Sequence, residues 1–390
     1  MAGRVWTRRE LIRRGALLAG LSPLALAAAC SSDNNNDGGG NGGNTGTSTG
    51  GSSGPQEELT GPLNVLAWDG YDNPDVLAGF KERYGVDINY KYHGGDPKLV
   101  SLLQQDPTGW DVVNPDNDWV SRLVDLDLIQ SIDLADYPHV QENFEPFRNF
   151  EPFTVNGSAY AVPTRFGING FIYNKDDITA DQAADAFFIW DPSYAGKVSM
   201  VDWFDLYIAL VGLYMGNTTP EAMSQDQLDQ VIDKLIELKP NITAIHTDRS
   251  DIEADLTNGE STVGWGGGTS DMATALKVDQ QPVEVSIPNQ GALIWTEGLC
   301  ITKGTQHLAT AKAYLDYMTE AQTLAHMAWN DTLQIQVVNP KVQDYLTPDQ
   351  YSALGLEEAT QWFDNPNVIL QRQAPDIDAW GKAWERFKSA

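Results

Sequence analysis

From Ser31 to Gly54 the chain uses only Gly, Asn, Ser, Thr and Asp. Such a tract has no apolar side chain to bury, so nothing offsets the entropy of ordering its backbone. It cannot join a core and reads as a flexible tether. Whatever folds must lie beyond it, and about 335 residues remain there, enough for two domains.

The segment before the tether reads as an export address. It opens with Arg8-Arg9 and Arg13-Arg14, and an apolar run at 16–29 leads to Cys30. That run is about 14 residues, short of the roughly 20 that a membrane-spanning helix needs. A basic start, a short apolar stretch and small residues at the cut describe a signal peptide over 1–29. Thr7-Arg-Arg-Glu-Leu-Ile-Arg13 resembles the twin-arginine motif, with register left open by the second Arg pair. Ala27-Ala-Ala-Cys30 resembles a lipoprotein lipobox, although Ala27 stands where Leu is usual. Lipidation of Cys30 would anchor the chain on the outer face of a membrane, with 30–61 as lipidated Cys and linker. The other reading is an ordinary cleaved signal with a chance Cys.

Only one other cysteine exists, Cys300, so no disulfide framework supports the body and its own core must. The net charge is −29, and removal of 1–29, with its five Arg and one Glu, leaves −33. That balance excludes nucleic acid as a partner. It suits a cationic ligand, and it equally suits plain solubility.

Apolar patterning alternates strand and helix. Leu63–Ala67 reads as a strand ending at Trp68-Asp-Gly-Tyr71; 75–84 as a helix stopped by Gly85; 86–92 as a strand; 97–105 as a helix; 110–113 as a short buried strand; and 119–128 as an amphipathic helix. This is the pattern of an α/β domain with a mostly parallel sheet, in which ligand groups lie on loops beyond the strand C-termini. Trp68, Asp69 and Tyr71 would sit on one such loop, and Asp116, Asn117 and Asp118 on another. Residues 160–174 read as a strand leaving the first domain. Strands at 197–201, 262–265, 283–287 and 292–294, with helices at 224–238, 306–319 and 374–387, complete the body.

The order of landmarks resembles the bacterial spermidine/putrescine-binding proteins, the capture components of polyamine ABC importers, over nearly all of 62–390. The resemblance rests on Val65-Leu-Ala-Trp-Asp-Gly-Tyr71, Trp110-Asp-Val-Val-Asn-Pro115, Tyr160-Ala-Val-Pro163, Asp202, Gly216-Asn-Thr-Thr-Pro220 with Lys239-Pro-Asn-Ile242, Gly264-Trp265 and Ile294-Trp-Thr-Glu297. It implies a two-lobed, type II periplasmic-binding-protein-like α/β fold, each lobe a mostly parallel sheet flanked by helices. Lobe 1 would be 62–166 plus 298–338 and lobe 2 171–293 plus 343–390. Hinge crossovers would fall near Gly167, Glu297 and Pro340. It also implies a monomer that closes on its ligand and delivers it to a membrane permease, with no cofactor.

A polyamine is an apolar rod with ammonium groups at intervals, so its site needs spaced carboxylates and aromatic faces. By the resemblance, Trp68 and Tyr71 face the ligand, Asp202 and Asp205 are its acids, Trp265 and Trp295 supply rings, Glu297 takes the place of an amine-binding Asp, and Gln371 aligns with a ligand-binding Gln. Departures add acid. Asp69 replaces a Thr, and Asp116-Asn-Asp118-Trp119 replaces Ser-Thr-Tyr-Tyr. Each of these also has a plain structural reading, as core aromatic, helix-start acid or loop residue. Arg165 beside the crossing either pairs with an acid or binds a ligand carboxylate, which keeps an amino-acid-like or opine-like solute in view. A surface hydrolase built on Asp202 and Asp205 is the reading from another class; no nucleophile–base arrangement accompanies them. The five His are scattered without zinc spacing, and Gly266-Gly-Gly-Thr-Ser270 lacks the Lys of a phosphate loop.

Overall fold

The computed structural model describes residues 58–331 and 333–390. The export signal, Cys30 and the polar tether lie outside the described residues.

The described chain begins with β1 (Leu63–Ala67), α1 (Pro74–Tyr84), β2 (Ile88–Tyr92), α2 (Asp96–Gln105), β3 (Val112–Val113) and α3 (Val120–Asp125). Local signals set these bounds. The Asn73 side chain caps the amide of Asp75, Pro74 occupies the first turn of α1, and Gly85 ends it in the left-handed region at φ 71°. β1 pairs in parallel with β2 on one side and β3 on the other, as the strand–helix alternation implies.

β4 (Val162–Asn169) and β5 (Phe171–Asn174) follow. The expected single strand over 160–174 is two, because the Gly170 amide donates to Thr269 Oγ1 (2.9 Å) instead of to a strand partner. β5 opens the second sheet. Next come β6 (Val198–Val201), α4 (Phe204–Tyr214), α5 (Gln225–Leu238), β7 (Ile242–His246), α6 (Ser250–Asn258), β8 (Val263–Trp265), α7 (Thr269–Val278) and β9 (Val283–Ser286). The second sheet has the order β9-β5-β8-β6-β7. β7, β6 and β8 run in parallel, and β5 runs antiparallel to both β8 and β9.

β10 (Ala292–Ile301) reaches well past the expected 292–294 and is buried at every residue. One end pairs with β11 (Val368–Leu370), the other with β3, and β4 runs antiparallel along it from Leu293↔Asn169 to Leu299↔Val162. α8 (Leu308–Thr319) and α9 (Ala321–Ala328) separate β10 from β11, and α10 (Ile377–Ser389) ends the chain.

Each sheet has its own core. Leu63, Val65, Phe80, Val112, Leu299 and Leu315 belong to one; Ile172, Met200, Ile208, Val231, Trp265 and Trp384 to the other. α4 is buried at every residue from Leu206 to Tyr214, as befits a helix apolar all round that packs between α5 and α10. One boundary differs from the expectation. Val342, Leu354, Leu356 and Ala359 pack into the first core, and only from Ala374 do buried residues join the second. The stretch after 343 therefore stays with the first lobe up to β11, because its apolar side chains are complementary to that core.

Candidate ligand-binding cleft

The parallel strands of both sheets end at the same gap, and the loops leaving them line a cavity of about 200 Å³. β1 contributes Trp68 and Asp69; β2 contributes Gly94, Gly95 and Asp96; β3 contributes Asp116. From the other lobe come Asp202, Trp203 and Asp205 after β6, Arg249 after β7 and Gly268 after β8. Trp295 and Glu297 on β10, and Gln371 just past β11, complete the wall. This is the crevice beyond the carboxyl ends of the strands where open α/β sheets bind ligands.

Aromatic faces form one side. The Trp68 ring lies edge-on to Trp203 across the lobes, with centroids 5.2 Å apart. His93 supports it from below, with ring centroids 4.4 Å apart. The Gly95 amide donates to His93 Nδ1 (3.1 Å), so Nε2–H donates to the Asn114 carbonyl (3.2 Å). Burial holds this imidazole down at about 4, so it is neutral and fixes the Gly94-Gly95 turn. Both glycines have positive φ (70° and 142°), conformations that favour residues without a Cβ, and the turn delivers Asp96 to the cavity.

Carboxylates form the other side, and their partners differ. Glu297 is taken: Arg165 Nε and Nη2 grip both its oxygens at 2.7–3.0 Å, with the two side chains only 1 % and 6 % exposed. Arg165 also donates to the Asp69 carbonyl (2.9 Å) and lies over the Tyr71 ring at 4.4 Å. Asp202 is likewise engaged, accepting from Trp384 Nε1 and from Lys388 Nζ (3.1 Å). Asp96, Asp116, Asp118 and Asp205 lack any such cation. Asp96 accepts the Asp116 amide (3.3 Å). Asp205 accepts from its neighbour's Leu206 amide and, across the lobes, from Trp119 Nε1, both at 3.0 Å. Asp118 accepts from Gln371 Nε2 (3.3 Å). One oxygen each of Asp116 and Asp118 has no donor at all. Burial, and then the neighbouring carboxylates, push Asp96 and Asp116 well above the usual carboxylate range. The same causes push Asp118 up to about 8, and burial raises Asp205.

Of the residues expected at the site, Trp68, Asp69, Asp116, Asp202, Asp205, Trp295, Glu297 and Gln371 line the cavity, and Asp118 stands directly behind Gln371. Three others do not line it either. Tyr71 is fully buried and bonds Thr164 Oγ1 (2.5 Å). Arg165 faces Glu297 as described. Trp265 packs among Phe171, Trp190, Tyr207 and Tyr214 in the second core, because β8 is a central strand and turns that side chain inward. Sequence reasoning missed Asp96, Trp203 and Arg249. The edge-loop argument that found Trp68 and Asp116 applies equally to Gly94-Gly-Asp96 after β2. Arg249 contacts Asp271 at the start of α7. Among the described residues no metal-binding cluster of His, Cys, Asp or Glu occurs.

Comparison with known proteins gives the same picture. The putrescine-binding periplasmic protein PotF of Escherichia coli is 25% identical over 68% of this chain and 75% of its own length. A solved ABC transporter protein of Listeria monocytogenes superposes with TM-score 0.71 at 18% identity, covering 84% of this chain and 98% of that one. The spermidine/putrescine substrate-binding protein PotD of Streptococcus pneumoniae superposes with TM-score 0.64 at 17% identity, over 84% and 98%. The two-lobed α/β architecture is thus the type II periplasmic-binding-protein fold. The family described as bacterial extracellular solute-binding protein matches residues 75–356, and this chain belongs to that family.

Proposed function

We propose that this protein captures a polyamine in the interlobe cavity and presents it to an ABC importer, without catalysis. The observation that carries this reading is a set of carboxylates without a cationic partner: Asp96, buried, and Asp116 and Asp205, half-buried, line the cavity with the indoles of Trp68, Trp203 and Trp295, and buried Asp118 stands behind Gln371. Ammonium groups meet the acids and methylenes lie on the rings. The names of relatives agree, the E. coli protein being called putrescine-binding.

The cavity, about 200 Å³, has room for a small organic amine. An amino-acid-like or opine-like solute is less well served. The Arg165 fork is filled by Glu297, Arg249 is held by Asp271, and Lys98 is exposed at the rim. The hydrolase reading loses its paired acids, since Asp202 is bound to Trp384 and Lys388. A lipid at Cys30 would keep the monomeric receptor at the membrane that holds its permease.

Titration calorimetry with putrescine, spermidine and γ-aminobutyrate tests the proposal. Putrescine and spermidine are expected to bind more tightly than γ-aminobutyrate, and Asp205→Asn to weaken putrescine by about 10- to 100-fold, the loss of one charged hydrogen bond. If no amine binds, or if the zwitterion binds best, the reading fails.

A further inference from the structure

The acids with no cationic partner come from both lobes. Asp96 opens α2, and Asp116 and Asp118 follow β3, all from the first lobe; Asp205 lies in the first turn of α4, from the second. The lobes meet at this point, where Trp119 from the first lobe buries its ring in the second core and bonds Asp205. An independent group points the same way. Gln371, 6 % exposed, lines the cavity, and its amide nitrogen is turned to Asp118. Oε1 faces away from Asp118 and has no donor. Asp116 Oδ1, Asp118 Oδ1 and Gln371 Oε1 are therefore three buried acceptors without donors, on residues that line the cavity or stand directly behind it.

We propose that Asp96, Asp116 and Asp118 with Asp205 form one ammonium-binding clasp split between the lobes, and that the lobes close over it only when a cation or protons cancel the charge which closure brings together. Asp96 is the member that neither motif nor resemblance indicated. Glu297 and Asp202 stand outside the clasp, since Arg165 and Lys388 answer their charge; Asp69 and Arg249 also line the cavity, Arg249 being paired with Asp271, and Lys98, on α2, is exposed at the rim. The proposal rests on the polyamine reading only in requiring a ligand with an ammonium group.

The sign follows from the raised values. A carboxyl whose pKa is higher in the closed form than in the open form favours closure at low pH, and that preference fades as pH climbs through the closed-form value. The unliganded closed form is thus stabilised by acid and lost toward pH 8, where Asp118 ionises. A diammonium ligand bound near neutrality displaces those protons.

Small-angle scattering of the unliganded protein at about pH 8.5 and about pH 4.5 tests this, because the carboxyls titrate between those limits. The expected result is an expanded particle at the higher pH that contracts in acid or with putrescine. The Asp96→Asn/Asp205→Asn variant should be contracted without ligand at both. Calorimetry in buffers of different ionisation enthalpy should show release of about one proton per putrescine near pH 7. Equal dimensions of the wild-type protein at both pH values, or a variant that stays expanded, overturns the clasp. Contraction in acid and in the variant, but not with putrescine, upholds the clasp and sinks the polyamine reading instead.

Discussion

Removing the Arg165 guanidinium would leave Glu297 buried and unpaired beside the cavity. Breaking such a pair costs about 3–5 kcal/mol, whereas replacing both partners with apolar residues is often close to neutral. Arg165→Met is therefore expected to lower the unfolding free energy measured in urea by that amount, and Arg165→Met/Glu297→Met to recover most of it. A single variant as stable as the double would mean that the pair is not what holds the hinge. The single variant should also be rescued in part by spermidine, as Glu297 becomes free to take an ammonium. Both residues are legible as site candidates from Pro163-Thr-Arg165 and Ile294-Trp-Thr-Glu297. That they face each other is not, because it depends on the register Glu297↔Arg165 between strands far apart in sequence. The sequence leaves Arg165 two roles, and strand pairing selects one.

At the scale of elements, the paired strands β4 and β10 fix one wall of the cleft. Gly167 lies opposite Trp295, and a Cβ there would come within 2.3 Å of the Trp295 ring and 2.8 Å of Ser270 Oγ. Gly167→Ala is expected to cost about 1–3 kcal/mol through overpacking and to move the ring that lines the cavity. The checks are a lower melting temperature together with weaker putrescine binding by calorimetry; unchanged affinity would show that Trp295 does not touch ligand. Trp265 illustrates where element-level reading from sequence stops. A Trp at the end of a strand and before three glycines looks like a cleft ring. Which way it turns depends on the strand's place in its sheet, and β8 is flanked by β6 and β5. Strand and helix types were readable because their apolar periods are local. The true length of β10 was hidden because Thr296, Glu297 and Gly298 break an apolar run that only partners on both sides can sustain.

For the whole molecule, the α/β character was legible in the alternation of elements and the two-lobed plan in the resemblance carried by the landmarks, while the return of 342–359 to the first core was not, since it depends on packing between distant segments. The sheet order has a consequence for assembly. β3 pairs with β1 early in the chain, but its other edge waits for β10, from Val113 to Cys300, while every strand of the second sheet lies between them. Closing that long loop is slow, and contacts of high sequence separation form late. The lobe that starts the chain is thus the last to be finished, and until then β3 presents an open edge to other chains. Pulsed hydrogen exchange during refolding should find amides of β6 and β8 protected before those that join β3 to β10. Simultaneous protection would mean that both lobes form in one step. A chain still being synthesised carries this exposed edge until β10 has left the ribosome.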